Sequence, residues 1–143
     1  MSNNRYERKR GNRDKVLPKD SEISFSWTKL DNTQGQSIIE WEKLGLLSVL
    51  CHRLQQIGQY SSSEALAKLY IKQYTKIGFP EKSKFKEPKH ITPPNYWAVI
   101  HITTNSKEVV AGFIEDNIFY IVLLDKDHHF WPTDIQDRGK TKR

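Results

Sequence analysis

The sequence predicts an α+β domain of order β-α-α-β-β-β, a helical hairpin packed on one face of a four-stranded, mainly antiparallel sheet. Three observations predict it. An alternating run, ISFSWT (23–28), comes first; two capping boxes, Ser37 with Glu40 and Ser61 with Glu64, each precede an apolar stripe at helical spacing; three strand-like runs then follow across short turns.

In ISFSWT, Ile23, Phe25 and Trp27 alternate with Ser24, Ser26 and Thr28, as in a strand with one buried face. The Ser37 box is followed by Leu47, Leu50, Leu54 and Ile57 and then Gly58, which predicts a helix of about five turns. The Ser61 box leads a stripe of Leu66, Leu69, Tyr70, Tyr74 and Ile77 up to Gly78 and Pro80, a second helix folded back on the first. The lysine- and proline-rich run PEKSKFKEPKHITPP (80–94) lacks periodicity and reads as a surface loop. The strands YWAVIHIT, EVVAGFI and NIFYIVLL are separated by TNSK and EDN, which makes an antiparallel meander. NIFYIVLL is apolar on both faces, as expected of a strand inside a sheet.

Residues 22–132 are expected to form the domain. Residues 1–21 and 133–143 read as basic tails with almost nothing to bury. The formal charge of +6 favours a polyanionic partner, RNA ahead of DNA, although a lysine excess also serves solubility. Cys51 is the single cysteine, so a disulfide scaffold and a cysteine-rich zinc module are excluded; its place beside Leu50 predicts burial in a helix. With no apolar leader and no membrane-length apolar run, the expectation is a cytoplasmic protein with no membrane partner. P-loop, dinucleotide and G-x-S-x-G motifs are lacking, and no cofactor is expected.

The order of elements, with the segment KEVVAGFIEDNIFYIVLLDKDHH (107–129), resembles the RelE/ParE superfamily of small bacterial toxins, over roughly residues 22–131. The resemblance implies a helical hairpin, an active antiparallel meander and cleavage of messenger RNA. Members that cleave usually place an arginine early in the first of the paired strands, where this chain has Lys107, Glu108 and Val109. The stretch FIEDNIFYIVLLDKDHHFWP is also similar to a group of uncharacterised small bacterial proteins ending in a D-x-x-H element, here Asp125 and His128.

Metal-independent RNA cleavage needs a base for the 2′-hydroxyl proton, an acid for the leaving 5′-oxygen and cations for the phosphorane. His128, His101, Asp125 and Lys107 are the catalytic candidates, His101 facing His128 or His129 if the strand register allows. The simpler reading, in which the two consecutive histidines are polar residues of a strand end, stands beside this. The nucleic-acid-binding candidates are Arg5, Arg8, Lys9, Arg10 and Arg13 in the tail, Lys86 and Lys89 in the loop, and Lys126 and Trp131 after the last strand. Asp125, Asp127, His128 and His129 are competent metal ligands, but adjacent strand residues point to opposite faces, so no metal site is expected.

The expected function is a small basic nucleic-acid-binding protein, most simply RNA-directed and, if an enzyme, a metal-independent endoribonuclease. The alternative is a non-catalytic protein-interaction subunit, in a toxin and antitoxin pair or a bacterial defence ribonucleoprotein assembly.

Overall fold

The structure is a computed structural model that describes residues 21–92, 95–104 and 106–132; the tail candidates Arg5, Arg8, Lys9, Arg10 and Arg13 lie outside these. The fold is α+β, with a mixed sheet of five strands rather than four. They are β1 (Ser24–Ser26), β2 (Lys72–Gln73), β3 (Trp97–His101), β4 (Val109–Glu115) and β5 (Ile118–Asp125), in the order β1-β5-β4-β3-β2. β1 runs parallel to β5 and the other pairs are antiparallel. Asp116 and Asn117, both at positive φ, turn β4 into β5 as a two-residue hairpin.

Both capping boxes form: Glu40 and Glu64 donate their backbone amides to Ser37 and Ser61 and accept theirs in return. The long helix predicted after Ser37 is two helices, α1 (Ile38–Lys43) and α2 (Leu46–Ile57), because Gly45 between them adopts φ 76° and turns the chain. Trp41, Leu50 and Ile57 face the sheet from this pair. Cys51 is exposed, not buried: one residue past Leu50 is about 100° around the helix, off the buried stripe.

The second predicted helix is also shorter. α3 (Ser62–Ala67) stops in a Schellman motif, Tyr70 N donating to Ala65 O at 3.0 Å and Leu69 N to Leu66 O at 3.1 Å. The chain then enters β2, which pairs Lys72 with Val99 and Gln73 with Ala98. The supposed stripe was no helix face, since Leu69 and Ile77 are both exposed while Ile71 is fully buried. Pairing along the β3 edge outweighs continued helix propensity here.

The sheet is apolar on both faces because both are covered. The helices cover one, over Ile100, Val110, Ile121 and Leu124. The loop after residue 78 covers the other: Phe79, Phe85 and Ile91 pack with Phe130 on Val99, Val109, Phe113 and Leu123. That loop is therefore a surface loop in its lysines and a core layer in its apolar residues. Beyond β1, residues 31–36 continue along β5, Asp31 N donating to Val122 O and Gln36 N to Leu124 O. Gly35 must be glycine there, at φ 71° and with Leu124 O only 2.5 Å from where a Cβ would sit. Among the described residues no helix is long and apolar enough to cross a membrane.

Candidate functional site

The pairing register decides where the histidines go. His101 lies opposite Val109, and Val109 opposite Asp125, so the ends of β3 and β5 share one row across the sheet, roughly 10 Å apart. Asp125 then turns the chain back: its carboxylate accepts from His129 N at 2.9 Å and Phe130 N at 2.7 Å. With that turn held and His128 at φ 60°, the His128 ring comes within 5.2 Å of the His101 ring, centroid to centroid.

The two rings line a cleft of about 720 Å³. Its cations are Arg53 from α2, Lys68 just past α3, Lys72 on β2 and Lys107 before β4, and among the described residues no carboxylate lines it. The wall is completed by Leu69, Tyr70, Val99 and Trp131 and by the hydroxyl residues Thr104 and Ser106. Four cations around two imidazoles give the cleft a positive lining. Arg53 is tied to the histidine strand, its Nε donating to His101 O at 3.0 Å.

His101 is half-buried, and its Nδ1 lies 2.8 Å from Ser106 O. A carbonyl only accepts, so Nδ1 carries the proton and Nε2 keeps the lone pair. Burial is the main cause holding the pKa of His101 below the ordinary 6.5, with Lys72, His128 and Arg53 adding to it against the Ser106 carbonyl. The neutral form is therefore the resting one near neutrality. Because the folded value is depressed, the unfolded chain takes up this proton first as the pH falls. The contribution of His101 to stability is complete above 6.5 and is lost as the pH drops from 6.5 through the lowered value. The melting temperature of the wild type is expected to fall, as the pH drops below 6.5, more steeply than that of His101→Gln.

Among the sequence candidates, the cleft unites His101, His128, Lys107 and Trp131. Asp125 is no exposed strand end: it is 1% exposed with both oxygens on backbone amides, so it builds the turn and does not face the cleft. Lys126 reaches Asp127 at 3.2 Å, and Asp127 is also 3.8 Å from Lys107, so this acid offsets part of the local positive charge. The pKa of Asp127 is lowered, first by the hydrogen bond from Lys126. Lys86 and Lys89 sit in the covering loop, where the backbone of Lys86 pairs with Gln34, and neither lines the cleft. His90 is against Lys29 O at 2.8 Å. His129 is exposed outside the cleft and its carbonyl accepts from Lys84 N, so the metal-ligand set considered from sequence is not assembled. Among the described residues no three His, Cys, Asp or Glu side chains converge as metal ligands.

Arg53, Lys68, Lys72 and Tyr70 escaped the sequence reading. They stand on three different segments, and only the halt of α3 at Ala67 and the pairing of β2 bring them to the histidines. Tyr96 is exposed, whereas Trp97 and Phe130 are buried among Phe79 and Phe113 and pack the core. Trp131 stands edge-on to Tyr74 at 4.8 Å, and its Nε1, like His128 Nδ1, is buried without a hydrogen-bond partner. Comparison of the chain with protein-family models, with curated proteins and with solved structures finds no match.

Proposed function

We propose that this protein binds RNA in the cationic cleft and cleaves it without a metal; RNA cleavage is what the RelE/ParE resemblance implied, and metal independence is what the histidines and lysines suggested. The observation that carries the reading is the pair of imidazoles 5.2 Å apart in a cleft with four cations and, among the described residues, no carboxylate. The scissile phosphate lies across the edges of the two rings. His101 Nε2 takes the 2′-hydroxyl proton, and the 2′-oxygen attacks phosphorus. Arg53, Lys68, Lys72 and Lys107 steady the added charge on the phosphorane. His128 donates a proton to the 5′-oxygen as the P–O5′ bond breaks, leaving a 2′,3′-cyclic phosphate and a 5′-hydroxyl. The arginine that β4 lacks at its start is supplied in this account by Arg53 of α2.

Two results test it. Cleavage of single-stranded RNA in the presence of a chelator should give cyclic phosphate ends, and the acidic limb of kcat/KM should lie below pH 6.5, where His101 gains its proton. RNA affinity should fall with salt on a log–log slope of about −3 or steeper, the value for four phosphates on a single strand. A salt-independent affinity would remove the electrostatic basis of the reading.

A protein partner is the second reading, favoured by Ile38, Ile39 and Leu44, which stand exposed on and beside α1. A small acidic protein encoded beside this one should then form a stable complex with it that Ile39→Glu abolishes. Failure of both to associate would leave that surface without a role.

A further inference from the structure

We propose that Leu69, with Tyr70 beside it, is the seat for an unpaired base at the lip of the cleft, which makes single-stranded RNA the substrate class. The inference rests on the RNA reading of the cleft and deepens it.

Leu69 is anomalous in two independent ways. It is 65% exposed and lines the cleft, a large apolar side chain set among cations. It also stands at φ 63°, the left-handed position of the Schellman motif that closes α3, where glycine is the usual residue. Among the described residues, the non-glycine residues at positive φ are Leu69, Asp116, Asn117 and His128. Asp116 and Asn117 make the hairpin turn, for which such residues are well suited; the other two both line the cleft. Neither burial nor backbone preference explains a leucine at position 69. Backbone strain of this sort gathers where a side chain is needed by a ligand.

Tyr70 supplies the other half of the seat. Its ring is backed by Tyr60, 5.7 Å away, and by the Arg53 guanidinium at 5.9 Å, while Lys68 stands 5.2 Å from the Tyr60 ring. Outward from His101 the order is Arg53, Tyr70, Tyr60 and Lys68, two rings held between two cations, which places an aromatic face beside phosphate-binding groups. An apolar side chain can hold or wedge against a base only if its face is free. In an A-form duplex the faces are stacked, so a duplex meets only the cations.

The test is binding of the full chain to a 2′-O-methyl RNA oligomer, which cannot be cleaved for want of a 2′-hydroxyl, as a single strand and as its duplex. The wild type should bind the single strand more tightly. Leu69→Gly should weaken single-strand binding about tenfold, with duplex affinity and salt slope unchanged and a melting temperature no lower than that of the wild type. Leu69→Asn, also suited to the left-handed position, should behave in the same way. Wild-type affinity for the single strand in these variants would overturn the seat, as would equal losses on strand and duplex. If Lys72→Ala and Arg53→Ala leave all binding intact, the RNA reading of the cleft itself is lost and the seat with it.

Discussion

Replacing His101 by alanine should lower kcat for cleavage of single-stranded RNA by about 10²–10⁴-fold, the usual worth of a positioned proton acceptor, and leave KM within about threefold. The asymmetry follows from the division of labour in the cleft. In the proposed mechanism the lining cations Arg53, Lys68, Lys72 and Lys107 remain to hold the phosphates, whereas the lone pair that would take the 2′-proton is gone. His128→Ala should cost a similar factor through the leaving oxygen. The double variant should lose little more than either single one, because base and acid serve one displacement. His101→Asn separates chemistry from folding: it keeps a donor for Ser106 O but cannot accept the proton, so a folded, inactive, RNA-binding protein is expected. Full turnover in His101→Ala would dismiss this residue as the base.

Asp125→Ala should destabilise the fold by about 2–6 kcal/mol, since two backbone amides in a buried turn lose their acceptor at once, at about 1–3 kcal/mol each. The amides are those of His129 and Phe130, and Phe130 is fully buried in the aromatic layer beneath the covering loop. Asp125→Asn, which retains one acceptor oxygen, should lose about half as much. Chemical denaturation measures both. The protein that remains folded should also turn over more slowly, because the turn that Asp125 holds is what swings His128 back to His101. A stability loss below about 0.5 kcal/mol would mean that the turn stands without this carboxylate.

The same residue shows where sequence reasoning reaches and where it stops. Asp125 was legible as a candidate functional carboxylate, but its role was not, because a carboxylate turned onto its own chain and one turned to a ligand look identical in sequence. Local rules were enough for the two capping boxes, the Asp116–Asn117 turn and the interior position of β5. They failed at Gly45, where one glycine divides a helix, and at Leu69, where a residue with good helix propensity takes a left-handed turn so that β2 can pair with β3. His101 and His128 were recognisable as a possible pair because one ends a strand of the meander and the other follows closely on its last strand. Arg53 and Lys72 were not, since nothing in the spacing of residues 53, 72 and 101 reports that a helix side, a sheet edge and a strand end converge.

The measurement closest to the central claim uses an all-deoxy oligonucleotide carrying one ribonucleotide, incubated with the full chain and a chelator. Cleavage is expected only on the 3′ side of the ribonucleotide, with a 2′,3′-cyclic phosphate end, and lost in His101→Ala and in His128→Ala. Absence of cleavage by the wild type, cutting of the all-deoxy control, or undiminished cutting by either histidine variant would contradict it.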